Sequence, residues 1–254
     1  MSGLFSSGAS LVLYQRLDST NLEAKRRAAD GVRGPMWIVA EEQTQGYGRR
    51  GAPWVQSAGD VAATYLFDPR AKAETLGQLS FVAGLAVADT IAHFAPRAPL
   101  TLKWPNDVLL DGGKISGILL ELVSAAGGNP LVALGVGVNI VSKPATADYP
   151  TARLIDHLDV APPRPTEFLR ELDASLARWV AQWREAGFAP IRKAWLEIAA
   201  GLGAKISVRL PTETIEAVFR DLDQSGALIL DCAGTPRLVS AGAVFPAPAP
   251  NPGE

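Results

Sequence analysis

Short apolar runs bounded by turn residues fill the first 140 positions of the chain. They predict strands over residues 11–14, 37–40, 61–67, 101–104, 108–110, 115–122 and 131–140. Thr20 and Glu23 stand at capping-box spacing and open a helix over 21–29 that ends at Gly31. Residues 76–94 are apolar almost all round, the pattern of a well-buried helix. Asp111-Gly112-Gly113 marks a hairpin, and residues 125–130 form a further turn. Tight turns join the strands after Val61, so much of the sheet is antiparallel and the fold class is α+β rather than doubly wound. Residues 141–165 are proline-rich and irregular. Helical periodicity returns over 166–187, where Trp179 and Trp183 lie four apart as core-packing residues, and over 191–199, ending at Gly201. Beyond Gly203 the pattern changes to short strands at 205–210, 214–222, 227–231 and 237–240, which predict a small appended β-barrel. The expected organisation is a main domain over 1–201, a small domain over 202–246 and a Pro/Ala-rich disordered tail over 247–254.

Composition narrows the function classes. The net charge of −2 gives no basic field to draw in nucleic acid. Cys232 is the single cysteine, which excludes an internal disulfide and fits a reducing compartment. His93 and His157 have no Cys, Asp or His partner at ligand spacing, so a dedicated metal site is not expected. The first ten residues lack the basic and apolar regions of a signal peptide, and no window of about 18 uninterrupted apolar residues occurs. A soluble cytoplasmic protein is expected.

The most informative stretch is Gln43-Thr44-Gln45-Gly46-Tyr47-Gly48-Arg49-Arg50-Gly51-Ala52-Pro53-Trp54. Its glycines permit a tight cradle, and its adjacent arginines bring fixed charge and planar donor forks to that cradle. Such a loop suits a phosphate or an activated carboxylate. The same letters spell the Gly-x-Gly-x-x-Gly dinucleotide fingerprint, which requires a helix straight after the glycines. Here Pro53-Trp54 and the strand at 61–67 follow instead, so that reading fails. A solvated surface loop is the plain alternative.

Three further motifs follow. In Lys103-Trp104-Pro105-Asn106-Asp107, Asp107 is either an ordinary turn residue or a carboxylate placed to take Mg²⁺ or orient a hydroxyl. In Gly113-Lys114-Ile115-Ser116-Gly117-Ile118-Leu119-Leu120-Glu121, Ile115 stands where a P-loop needs Ser or Thr. Lys114 there either snorkels or reads an anion, and Gly117 permits close approach of a ligand. Leu134-Gly135-Val136-Gly137-Val138-Asn139-Ile140 puts two glycines in one strand, explained either by a flat ligand against the backbone or by a bulge.

In this order and spacing the motifs resemble the biotin protein ligase family, from about Tyr14 to Phe245. The resemblance implies a class II synthetase-like catalytic domain, a mixed and largely antiparallel sheet with packed helices, followed by a small SH3-like β-barrel. It implies ATP-dependent activation of biotin to biotinyl-5'-AMP and transfer to a lysine of a biotin carboxyl carrier domain. The catalytic set it implies is Lys114, Arg49 and Asp107. Biotin would be met by Ser19, Thr20, Asn21, Gln43, Gly46, Lys114, Gly117 and Gly135. The nucleotide would be met by Arg49, Arg50, Gly51, Trp54, Lys103, Asn106, Asp107 and Asn139, with Mg²⁺ carried by ATP near Asp107.

The winged helix of repressor-type members is not evident, because the catalytic pattern starts within the first twenty residues, so no DNA binding is expected. Two departures from the family pattern stand out. Tyr47 and Ala52 occupy positions where many members carry arginine, so Tyr47 is expected to act as a lid or stacking surface. The glycine-rich loop is expected to have few anchors and to order only over the adenylate. A lipoate or octanoate ligase or transferase, and a non-catalytic biotin-binding regulator, are the alternatives. Oligomeric state is left open, with strand 131–140 a candidate sheet edge for a homodimer or for the carrier.

Overall fold

The structure is a computed structural model that describes residues 5–124, 130–144, 147 and 149–246. The apolar runs become strands β1 (Ser10–Leu17), β2 (Met36–Gln43), β3 (Val61–Phe67), β4 (Leu100–Lys103), β5 (Asp107–Leu110), β6 (Gly113–Val123) and β7 (Leu131–Val138). They form one seven-stranded sheet in the order β1-β2-β3-β7-β6-β5-β4. β1 and β2 are parallel because helix α1 (Thr20–Ala29) crosses between them; every other pairing in this sheet is antiparallel. The expected turn at 125–130, Pro130 apart, and the tail at 247–254 fall on residues outside the described set.

β3 and β7 are buried at every position because both faces of the sheet are covered. Helices α2 (Leu79–Phe94) and α3 (Pro165–Ala186) close the larger core with Val82, Ile91, Phe168 and Leu172. α1 closes the other face, setting Ala24 and Ala28 against Ile38, Leu66 and Ala133. The segment Ala73–Phe94 is long and apolar enough to span a bilayer, with mean hydropathy 1.4, but most of it is packed inside the protein. Its first turn, Ala73–Gln78, is 3-10 rather than α-helical. Trp183 is buried, and its indole donates to Gln78.

Three expectations need correction. The capping box does not form: Ser19 is the N-cap without a side-chain bond, and Glu23 instead accepts from Tyr14, Arg26 and Arg27. β7 is no edge; it is held between β3 and β6, and the sheet edges are β1 and β4. The C-terminal region adds β12 (Ala243–Pro246), which sequence patterning missed, to β8 (Lys205–Arg209), β9 (Thr214–Leu222), β10 (Leu228–Cys232) and β11 (Thr235–Val239). These form a five-stranded antiparallel sheet in the order β11-β10-β9-β8-β12.

The small sheet shares its core with the large one. Phe81 packs edge-on against Phe188 and Trp195 of helix α4 (Phe188–Glu197) and presses on Gly226. Trp104 donates to the Gly226 carbonyl at 2.9 Å.

Asp60 fixes the start of β3 to the exit from β7. Its carboxylate accepts the backbone N–H groups of Ser57, Ile140, Val141 and Ser142, and the Ser142 hydroxyl. Asp60→Ala strands the buried Ile140 N–H and the partly buried donors around it, so we expect a loss of about 3 kcal/mol of stability. Thermal unfolding should record a Tm lower by roughly 6–12 °C; a shift under about 2 °C would contradict this role.

Candidate active site

A cleft of about 230 Å³ opens over the middle of the large sheet. β7 supplies its floor. The two-residue pleat puts Gly135 and Gly137 on one face, and Gly137 pairs with Gly117 on β6. A Cβ at Gly137 would lie under 3.0 Å from three atoms of the Trp54 indole, and one at Gly135 would collide with the Asn21 amide. The glycines therefore do admit flat groups against the backbone, but in this structure those groups belong to the protein. Pairing of β7 with β3 and β6 runs without a register shift, so no bulge accounts for them.

Over Gly135 the cleft is polar and neutral. Thr20 donates to Gln43 Oε1 through its backbone N–H at 2.8 Å and its hydroxyl at 3.1 Å. Thr64, buried on β3, donates to Asn21 Oδ1 at 2.6 Å, and its oxygen lies 2.8 Å from Thr20 Oγ1. Ser19 completes this wall.

Over Gly117 the cleft turns cationic. Lys114 Nζ lies 2.7 Å from Asp107 Oδ1, and Lys103 Nζ 3.0 Å from Asp107 Oδ2. The Tyr149 ring lies 5.4 Å from the first ammonium and 5.7 Å from the second. Arg49 enters from the Gly/Arg loop and donates to Asn106 Oδ1 at 3.2 Å, while Asn106 Nδ2 holds the Ile118 carbonyl at 2.7 Å. Burial, aided by neighbouring Arg50, pulls the Arg49 pKa below the usual guanidinium value against the pull of Asp107. The lining thus carries Lys103, Lys114, Arg49 and Arg50 against the one carboxylate of Asp107. Three partly buried cations and the exposed Arg50, in excess over one carboxylate, create an anion site even in a chain of net charge −2.

The loop is anchored more firmly than its glycine content suggests. Gly48 donates to Ala52 and Trp54 to Gly46 along the backbone, and Tyr47 pairs with Pro53. Arg50 adopts φ 57°, a left-handed conformation that costs a non-glycine residue roughly 1–2 kcal/mol. The Tyr47 hydroxyl donates to Glu121 Oε2 at 2.9 Å. Tyr47 is therefore hydrogen-bonded at its hydroxyl rather than poised only as a stacking face.

Most of the expected site residues meet in this cleft: Ser19, Thr20, Asn21, Gln43, Arg49, Arg50, Trp54, Lys103, Asn106, Asp107, Lys114, Gly117 and Gly135 all line it. Gly46, Gly51 and Asn139 do not. Gly46 serves packing, since a Cβ there would lie 2.6 Å from the Trp54 carbonyl oxygen. Asn139 is buried and donates to the Ala152 carbonyl at 3.0 Å, holding the chain beside Lys114. Asp107 stands between the two lysines. Each of its oxygens is taken by a lysine, and among the described residues no three His, Cys, Asp or Glu side chains group as metal ligands.

Sequence reasoning missed Tyr149, Thr64, Gly242, Ala243 and Val244. The first sits in the irregular proline-rich stretch, and the last three bring the small sheet into the cleft wall. Trp54 lines the cleft with its Nε1 buried over Gly137 and without a protein hydrogen-bond partner.

Comparison with known proteins agrees with this geometry. Residues 13–139 match the Biotin/lipoate A/B protein ligase family, and residues 201–245 match the biotin protein ligase C-terminal domain. The chain is 42% identical over 246 residues to a biotin–[acetyl-CoA-carboxylase] ligase of Paracoccus denitrificans, covering 92% of this chain and 99% of that one. It is 35% identical to the ligase of the same name from Mycobacterium tuberculosis, covering 95% and 91%. The fold matches the biotin protein ligase of Aquifex aeolicus solved with biotin and ATP, at TM-score 0.80 and 23% identity over 93% of this chain and 97% of that one. With near full-length likeness at this identity, and with both matched regions contributing to one cleft, the chain belongs to the biotin protein ligase family.

Proposed function

We propose that the cleft activates biotin with ATP and then passes the biotinyl group to a carrier lysine. The observation that carries this reading is the Lys114–Asp107–Lys103 cluster, set where the neutral polar floor at Gly135 gives way to the cationic floor at Gly117.

In the first step a biotin carboxylate oxygen bonds to the α-phosphorus of ATP and the bond to pyrophosphate breaks. Two anions must meet, and the cations of the cleft offset their repulsion. Lys114 holds the carboxylate and the α-phosphate together, while Asp107 fixes both lysines in place. Arg49 and Arg50 supply charge toward the leaving pyrophosphate. Thr20, Asn21, Gln43 and Ser19 orient the ureido ring through neutral hydrogen bonds, and Trp54 lies along the adenylate. In the second step the lysine amine of the carrier attacks the acyl carbonyl carbon and AMP leaves, so the product is an amide.

The acceptor is the biotin carboxyl carrier domain of a biotin-dependent carboxylase, a reading supported by the relatives' acetyl-CoA-carboxylase specificity. We place nucleic acid and membranes outside its partners and the enzyme in the cytoplasm; the net charge of −2 and the packing of the Ala73–Phe94 helix support this. The test supplies Mg-ATP, a carrier domain and one of biotin, lipoate or octanoate, and follows the carrier by mass spectrometry. A single biotinyl increment, on one lysine, is expected; lipoyl or octanoyl transfer without biotinyl transfer would move the protein to the sister activity.

A further inference from the structure

We propose that Tyr47 is a positioning residue whose hydroxyl clasps the Gly/Arg loop to Glu121 and so keeps the acyl-adenylate in the cleft until the acceptor arrives. The inference rests on the ligase reading above. Tyr47 and Glu121 lie 74 residues apart, on the loop and on β6, yet their side chains meet at 2.9 Å. Glu121 is itself held from the other side. Lys25 of α1 contacts its Oε1 at 2.8 Å and the Tyr47 hydroxyl at 3.3 Å, and the Asn21 amide donates to its Oε2 at 2.8 Å. Burial pushes the Glu121 carboxyl up, but Lys25, Asn21 and Tyr47 together bring it below its ordinary value. The acceptor of the clasp is therefore a charged carboxylate, and a hydrogen bond to a charged group is worth more than a neutral one.

The clasp is connected to the biotin end of the cleft. Asn21, which holds Glu121, also receives the Thr64 hydroxyl at 2.6 Å, and that hydroxyl oxygen lies 2.8 Å from the Thr20 hydroxyl. A ligand that orders this polar wall orders the acceptor of the clasp, so occupancy of one end favours closure of the loop over the other. The closed loop carries Arg49 and Trp54 into the cleft. An acyl-adenylate is a mixed anhydride that water cleaves to biotin and AMP, so a loop that opens early wastes ATP.

The experiment measures biotin-dependent pyrophosphate release without any carrier, a leak set by adenylate escape and hydrolysis. Tyr47→Phe removes the hydroxyl and keeps the ring. The expected result is a leak about tenfold faster than wild type, the scale of a lost hydrogen bond to a charged group. Glu121→Gln is expected to leak as well, and the double variant no more than the faster single one, because both remove the same contact. A folding defect lowers release, so a gain cannot arise from it. A leak equal to wild type in Tyr47→Phe, or a smaller first-turnover burst with no faster leak, overturns the clasp. If wild-type protein releases no pyrophosphate with biotin, the ligase reading itself fails and the clasp falls with it.

Discussion

Lys114→Ala lowers biotin-dependent pyrophosphate release by about 10²–10³-fold, the effect of removing one preorganised contact to developing charge. The expectation follows from position more than from charge count. Lys114 opens β6 at the foot of the cleft, and its ammonium is 2.7 Å from Asp107 and 3.3 Å from where a Cβ on Gly117 would sit. Its own backbone is pinned on both sides, by the Pro150 carbonyl at 2.8 Å and the Ala152 N–H at 2.9 Å. The ammonium therefore has little freedom to lose when the reacting groups arrive, which is the condition for a large electrostatic contribution. Lys103 remains beside Asp107 in the variant and keeps the cleft cationic, so nucleotide binding should weaken far less than turnover. Single-turnover release at saturating ATP separates the two. A loss under about fivefold would show that Lys114 does not touch the reacting groups.

Gly137→Ala weakens biotin binding by about 5–150-fold, the equivalent of 1–3 kcal/mol for one added methyl group in a filled site. The new Cβ would enter the Trp54 ring, and β7 cannot retreat because β3 and β6 hold it on both sides. The loop must yield instead, carrying Trp54 and Arg49 with it. Titration calorimetry with biotin measures the loss. In a Trp54→Ala background the clash has no partner, so adding Gly137→Ala should then cost little; equal losses in both backgrounds would place the effect in the sheet rather than in the indole.

Local pattern made much of this legible. Strand 61–67 is found as expected, since a run of apolar residues between polar bends leaves little choice. The Gly/Arg loop, Lys103-Trp104-Pro105-Asn106-Asp107 and Lys114 carried their chemistry in residue type, and the sheet brings all of them to one cleft. Contacts across long stretches of sequence were not legible. Two glycines in β7 announced a close approach but not its partners, because Trp54 reaches Gly137 from 83 residues away and Asn21 reaches Gly135 from 114. Asn139 resembled a nucleotide contact because an amide in a glycine strand looks the same whether it faces a ligand or a carbonyl; here it satisfies Ala152. The capping-box spacing at Thr20 and Glu23 was outcompeted by side-chain partners on β1 and α1 that spacing alone cannot reveal. Tyr149 and the β12 edge of the cleft belong to segments with little periodicity, and only the assembled fold gives them a place.

The central claim is that a carboxylate oxygen of biotin attacks the α-phosphorus of ATP in this cleft before any amide forms. Biotin labelled with ¹⁸O in both carboxylate oxygens, supplied with ATP and the carrier domain, tests it through the mass of the AMP released on transfer. The account predicts AMP carrying one ¹⁸O, because the attacking oxygen stays on phosphorus when the carrier lysine takes the acyl group. Unlabelled AMP, or ADP in its place, would contradict it.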